Sequence, residues 1–215
     1  MQHGKSLIKI NWLKFFFVIV SLLLFIECHK KYKRDPYEMS TILNLKFIMR
    51  AQYDFKTKDL DANGIKDYWI GDLSGLYRIN DKDGQAMQLI TIVLARADLK
   101  PLPDNVLNFL VRPVAEDPVC FLGYYYYATK FSKNESLTSA SYLSKAKFGY
   151  LAIPERYGVT GKRSFICSQD GNIYSKEIPL KQISTIKDVP EDLQKWPEPD
   201  PISAGWQLEK EYLSR

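Results

Sequence analysis

The sequence predicts an α+β fold in which a long amphipathic helix packs on an antiparallel β-sheet, preceded by an apolar N-terminal helix. Three observations predict it: an apolar run at 15–26, helical spacing of apolar residues from Pro36, and a series of strand-like segments from Val119 onward. Helices that precede a run of strands are typical of α+β domains. We therefore divide the chain into a signal or membrane-anchor segment, residues 1–34, and a single exported domain, residues 35–215.

The apolar run Phe15–Ile26 predicts a segment for export or membrane anchoring. A lysine-containing stretch precedes it, as in secretory leaders, and twelve residues are short for a full membrane span. Cys28 follows the run, as in bacterial lipoproteins, although Glu27 stands where a small residue is usual. Lipid attachment at Cys28 and an uncleaved anchor both remain open. In either case we expect residues 12–28 to tether an exported, periplasmic or surface domain to the membrane of the cell envelope.

The distribution of charge and of histidine excludes several classes of function. Residues 1–34 hold seven basic residues and one acidic residue, whereas the rest of the chain holds 23 basic and 24 acidic residues. A nucleic-acid-binding domain would carry excess positive charge on its folded part, so we expect no nucleic-acid partner. The two histidines, His3 and His29, flank the apolar run. The exported domain therefore has no histidine base and no histidine-ligated zinc, and we assign no catalytic residue.

The first element of the exported domain is a predicted helix from about Pro36 to Tyr53. Asp35 can cap this helix, Pro36 suits its first position, and Glu38 stands three residues after the cap. The apolar residues that follow recur at helical spacing: Ile42, Leu45 and Met49, with Leu43, Phe47 and Ile48 widening the apolar face. A broad apolar face of this kind predicts an amphipathic helix that packs against a sheet.

The middle of the domain predicts a short strand and a second helix. The strand is expected at Leu76–Ile79, and the strongly apolar stretch Ala86–Ala97 predicts the helix. A proline-containing connection from Lys100 to Pro118 then predicts an ordered surface loop.

The second half of the domain predicts an antiparallel sheet. The aromatic run at 120–131 alternates poorly, which indicates a strand that is buried on both faces. Further strands are expected at 147–154, Arg163–Ser168 and Asn172–Lys176, the last two joined by an Asp-Gly hairpin turn. Cys120 and Cys167 either form a disulfide in an oxidising compartment or remain buried free thiols.

Residues 59–67, with the sequence DLDANGIKD, match the first half of a calcium-binding EF-hand loop. Calcium needs about six to eight oxygen ligands, and Gly64 permits the sharp turn of such a loop. The predicted ligands are the side chains of Asp59, Asp61, Asn63 and Asp67 and the main-chain carbonyl of Ile65. A complete loop ends in a glutamate at a position where this chain has Ile70, so we expect Asp72 to close the coordination sphere. The alternative is a surface turn that binds no metal, because Asp, Asn and Gly favour turns.

Several short motifs between residues 40 and 206 occur in the same order as in a known family. Among them are Asn63–Trp69, Gly71–Tyr77, Gly149–Pro154 and Asp170–Tyr174. Together they resemble an exported bacterial family known as a domain of unknown function, and they resemble pseudopilin-type proteins. The resemblance implies a pilin-like plan, in which a hydrophobic N-terminal helix leads into a helix that packs on an antiparallel sheet. It implies no enzymatic activity.

These observations favour a non-catalytic envelope protein with a pseudopilin-like domain. We expect it to be tethered to the membrane, stabilised by calcium, and active through contact with other envelope proteins. The alternative is a periplasmic or surface hydrolase, or a carbohydrate-binding module, that uses acidic residues and the tyrosine-rich strand at Tyr124–Tyr127. A concave pocket with two facing carboxylates would favour the alternative.

Overall fold

The computed structural model of the protein describes residues 35–80, 83–85, 87–103, 117–131 and 142–209. The predicted leader, with the apolar run and Cys28, lies outside the described residues, and the tether stays a prediction. Across these described ranges, no helix is both long enough and apolar enough to span a membrane.

The described part of the chain is a mixed structure of helices and antiparallel sheet. In chain order its helices and strands are α1 (Pro36–Lys58), β1 (Tyr68–Trp69), α2 (Gly75–Arg78), α3 (Ile92–Ala95), β2 (Tyr124–Ala128), β3 (Leu143–Ser144), β4 (Gly149–Pro154), β5 (Arg163–Ser168), β6 (Ile173–Glu177), a 3₁₀ turn (Ile186–Asp188) and β7 (Gln207–Leu208). Five strands form one antiparallel sheet in the order β2-β4-β5-β6-β7, and β1 pairs with β3 in a two-stranded sheet. The α+β class is therefore confirmed.

The five-stranded sheet is buried on both faces, as the poorly alternating aromatic run predicts. Along β2, Tyr124 and Tyr126 belong to one hydrophobic core, whereas Tyr125 and Tyr127 belong to another. Successive side chains of a strand point to opposite faces, so each face of the sheet packs against its own layer. Helix α1 supplies residues to the first core, and the C-terminal segment that contains Trp206 supplies residues to the second.

Helix α1 begins at Pro36 as predicted, continues past the predicted end near Tyr53 to Lys58, and buries a face that is partly polar. Ile42, Leu45 and Ile48 are buried on this face, whereas Leu43 and Phe47, which were expected to widen it, are exposed. The buried residues of the helix include four that are polar: Glu38, Thr41, Asn44 and Gln52. Their partners explain the burial. The Asn44 amide donates to the hydroxyl of Tyr126 at 2.9 Å, and Gln52 bonds the main chain of Trp69. The face against the sheet is therefore held by hydrogen bonds as well as by apolar contact.

Two predictions for the middle of the domain are wrong. The segment expected as a strand at Leu76–Ile79 lies mostly in helix α2, because the side chains of Asp72 and Asp98 bind the backbone N–H groups just before and at its start. The expected helix at Ala86–Ala97 is reduced to the single turn α3. The N–H groups of Met87 and Leu89 donate to carbonyls of the α2 segment, so they are not free for a helix.

Cys120 and Cys167 are free thiols in the structure. Cys167 is buried in β5, where burial raises the pKa of its thiol, and Cys120 is partly exposed. The sequence left open whether these two cysteines form a disulfide or remain free thiols, and the structure has free thiols.

Candidate functional site

The loop that follows α1 begins with a well-formed helix end. The N–H groups of Asp59 and Leu60 donate to the carbonyls of Lys56 and Phe55, which is the pattern of a Schellman cap. Asp59 occupies the left-handed position of this cap with a φ of 47°, where glycine is usual. Gly64 also has a positive φ, of 78°, and lets the chain turn sharply after the third ligand position. The cap therefore places the Asp59 carboxylate at the start of a tight loop.

Asp59 and Asp61 each use one carboxylate oxygen and leave the other without a partner. Asp59 Oδ2 accepts a bond from the Gly64 N–H at 3.1 Å, and Asp61 Oδ2 accepts one from Asn63 Nδ2 at 2.7 Å. The Oδ1 atoms of both residues are buried and have no hydrogen-bond partner among the described residues. A buried acceptor in this state costs free energy, because it has given up its bonds to water.

Asp67 supplies a third buried carboxylate oxygen that has no hydrogen-bond partner among the described residues. Its side chain is 4% exposed, and its Oδ1 atom is buried without a hydrogen-bond partner in the described part of the chain. Burial raises the pKa of this carboxylate, and a side-chain hydrogen bond from Asn63 opposes that rise. Asp59, Asp61 and Asp67 therefore each bring one buried oxygen without a hydrogen-bond partner to the loop.

The carboxylates of the loop influence one another electrostatically. The pKa of Asp61 is raised to about 6, first by burial and then by the negative charges of Asp67 and Asp59, against a hydrogen bond from the Asn63 backbone. Burial and the charge of Asp59 also raise the pKa of Asp67, while the nearby Lys145 lowers it. The charges of Asp59 and Asp67 thus act on Asp61, and the charge of Asp59 acts on Asp67.

The other two predicted ligands of the loop are Asn63 and the main-chain carbonyl of Ile65. The Asn63 Oδ1 atom accepts a bond from the Ile65 N–H at 2.6 Å, which folds the loop tightly, and the side chain of Ile65 is exposed. Among the described residues, no group of three or more His, Cys, Asp or Glu side chains already has the arrangement of a metal site. In this loop the Asn63 side chain is thus occupied at both ends, since its Nδ2 donates to Asp61 Oδ2 and its Oδ1 accepts from Ile65.

The structure places Asp72 in a different network. Its Oδ1 atom accepts bonds from the indole N–H of Trp69 and the N–H of Gly75, and its Oδ2 atom accepts bonds from Ser74 Oγ and the Leu102 N–H. Both oxygens are therefore occupied, and Asp72 holds the segment before α2 against the loop at Leu102. It does not join the other predicted ligands.

A second buried carboxylate, which the sequence did not reveal, completes this network. Asp98 Oδ2 accepts bonds from the N–H groups of Leu73 and Ser74 at 2.7 and 2.8 Å, and its Oδ1 accepts one from Lys100. Burial and the charge of Asp72 raise the pKa of Asp98 to about 7, although the three N–H donors lower it. No motif or spacing marks Asp98 in the sequence, because the N–H groups of Leu73 and Ser74 that it binds belong to residues about 25 positions earlier in the chain.

The tyrosine-rich strand offers no exposed binding face. The four residues Tyr124 to Tyr127 are all nearly fully buried, and they fill the two cores of the sheet. Their hydroxyls find partners inside the protein where contacts are described, as between Tyr126 and Asn44. The carbohydrate-binding alternative thus loses the aromatic surface that motivated it.

Comparison with known proteins identifies the family of this chain. Neither the curated proteins nor the solved structures include a match. One family model, described as a protein of unknown function (DUF2950), matches residues 34–196, which is more than two thirds of the chain. The match includes α1, the loop at 59–67 and the strands β1 to β6. The chain therefore belongs to the DUF2950 family.

Proposed function

We propose that this chain is a non-catalytic protein of the cell envelope, held at a membrane by residues 12–28, whose folded part acts by contact with another protein. The observation that carries the proposal is the outward face of α1, which presents large apolar side chains to solvent. On that face Leu43 is 49% exposed, Phe47 67% and Tyr53 57%. Side chains of this size normally lie in the core, so their exposure on one element indicates a docking surface.

The composition of this face fits a protein partner. Leu43 and Phe47 are four residues apart and are therefore neighbours on the helix surface. Arg50, whose side chain is 72% exposed, lies between Phe47 and Tyr53 along the helix. Aromatic residues and arginine are enriched where proteins bind one another, and they dominate the binding free energy of many interfaces. We refer to Leu43, Phe47, Arg50 and Tyr53 as the outer face of α1.

The position of the outer face also supports the proposal. Helix α1 starts at Pro36, directly after the leader that is expected to hold the chain at the membrane. A helix next to a membrane segment, packed on an antiparallel sheet, is the plan of pseudopilin-type proteins, and we extend the resemblance to this chain as part of the proposal. The outer face would then meet other envelope proteins close to the membrane surface.

Site-specific photo-crosslinking in the native cell tests the proposal. A photoreactive residue at position 47 should capture one envelope protein, and the same protein should copurify with the wild-type chain but not with Phe47→Glu. Position 159 is the control, because Val159 is 61% exposed in a turn outside the outer face. The chain itself should be found in the membrane fraction. Equal crosslinking at both positions, or a chain in the soluble cytoplasmic fraction, would contradict the proposal.

A further inference from the structure

We propose that the loop at 59–67 binds a calcium ion through the carboxylates of Asp59, Asp61 and Asp67. This inference concerns a part of the molecule separate from the outer face of α1 and stands without the proposed function. It rests on three buried oxygens, one from each carboxylate, that have no hydrogen-bond partner in the described ranges. Asp67 gives the strongest support for the proposal, because the residue is only 4% exposed and yet one of its carboxylate oxygens has no hydrogen-bond partner.

The hydrogen bonds of the loop hold these oxygens in place rather than satisfying them. The Gly64 N–H fixes one oxygen of Asp59 and leaves the other buried without a partner. The Asn63 side chain does the same for Asp61. A turn that served the fold alone would pair its buried acceptors with N–H or O–H donors. Even the exposed Asp170 carboxylate accepts bonds from the Ser168 hydroxyl and the Asn172 N–H. A cation is the partner that three such oxygens share.

The donor set selects calcium among the common metal ions. All three carboxylates, the Asn63 amide and the main-chain carbonyls of the loop offer oxygen, which hard cations prefer, and the loop contains no thiol or imidazole. Calcium accepts an irregular sphere of many protein oxygens, whereas magnesium demands a near-ideal octahedron and retains its waters. An irregular loop rich in carboxylates therefore suits calcium better than magnesium.

Binding would join two elements of the fold. Asp59 is the cap of α1, and Asp67 directly precedes Tyr68, the first residue of β1. An ion held by both residues fixes the end of the helix to the start of the strand and removes the repulsion among the three carboxylates. Calcium should therefore stabilise the folded chain.

Thermal unfolding of the full chain in detergent tests the proposal. About 5 mM calcium exceeds the dissociation constant of a typical extracellular calcium module by roughly tenfold, and should raise the unfolding temperature by about 4 °C over a sample in chelator. Asp61→Asn should abolish this rise. Asp192→Asn, which neutralises an exposed carboxylate in a turn outside the loop, should keep it. If Asp61→Asn does not fold, Asp59→Asn takes its place.

The behaviour without calcium separates a metal site from a structural turn. In chelator, Asp61→Asn should unfold at the same temperature as the wild type or higher, because it removes a negative charge that the other two carboxylates repel. The proposal is overturned if calcium leaves the wild type unchanged, if magnesium stabilises it equally, or if Asp61→Asn retains the calcium response.

Discussion

Arg163 binds Glu38 through two nitrogens of its guanidinium group, Nε and Nη2, each 2.8 Å from Glu38 Oε2. The other carboxylate oxygen of Glu38 accepts the N–H groups of Lys162 and Arg163. The first turn of α1 is thereby joined to the start of β5. Arg163 also bonds Glu209, so one guanidinium connects the helix, the sheet and the C-terminal segment.

Replacement of Glu38 should therefore loosen the attachment of α1 to the sheet. Glu38→Gln leaves two backbone N–H groups and a partly buried guanidinium with a weaker acceptor, and Arg163 keeps its bond to Glu209. We expect a loss of about 2 kcal/mol in the free energy of unfolding, measured by chemical denaturation. The exposed Glu191→Gln is the control and should change the stability by less than about 0.5 kcal/mol. Equal stability of the two variants would show that the Glu38 bonds contribute nothing.

Gln52 should be among the least replaceable residues of α1. Its amide accepts from the Trp69 N–H at 3.0 Å and donates to the hydroxyl of Tyr150 at 2.6 Å and to the Trp69 carbonyl. Gln52→Leu would leave all three groups buried without this partner, so we expect a loss of about 3 kcal/mol in the free energy of unfolding. Gln182→Leu, at an exposed position, should be nearly neutral. A well-tolerated Gln52→Leu would contradict this account of the helix-to-sheet contact.

The buried pair Asp72 and Asp98 should make stability depend on pH. The pKa of Asp98 is about 7 in the fold and near 3.9 in the unfolded chain, so the folded protein holds an extra proton between these values. The free energy of unfolding should then fall as the pH rises from 5 to 8, by at least about 1 kcal/mol. Asp98→Asn should flatten this slope. Chemical denaturation of both proteins across this pH range measures the slope. A free energy of unfolding that rises with pH in the wild type would contradict the prediction.

The outer face of α1 should contribute to binding and not to folding. Phe47 is 67% exposed, so Phe47→Ser should change the free energy of unfolding by less than about 0.5 kcal/mol. Phe55→Ser on the same helix removes a buried side chain and should cost more than about 3 kcal/mol. Denaturation of both variants measures the contrast. A strong destabilisation by Phe47→Ser would show that this side chain packs in the fold.

The sequence predicted those parts of the fold that depend on neighbouring residues. The start of α1, the doubly buried strand β2 and the Asp-Gly turn between β5 and β6 follow from local capping, spacing and turn chemistry. The metal-binding role predicted for the loop at 59–67 also rests on local spacing, because its carboxylates lie within nine residues of one another, and it stays a prediction. In each case the residues that matter are close together in the chain.

The predictions that the structure does not support concern residues whose partners are distant in the chain. The buried face of α1 includes polar residues because they have distant partners, as Asn44 has in Tyr126, 82 residues away. Helix α2 replaced a strand because Asp98 binds N–H groups about 25 residues before it. Asp72 was expected in the metal site for its spacing, but tertiary contacts with Leu102 hold it elsewhere. Spacing alone carries no information about such contacts.

Calcium titration by calorimetry tests the central claim most directly, because it counts ions on the full chain without relying on stability. The wild type should bind one calcium ion, with a dissociation constant of about 10⁻⁴–10⁻³ M, and Asp61→Asn should give no heat of binding. A wild-type chain that takes up no calcium in this range would show that Asp59, Asp61 and Asp67 form a surface turn and nothing more.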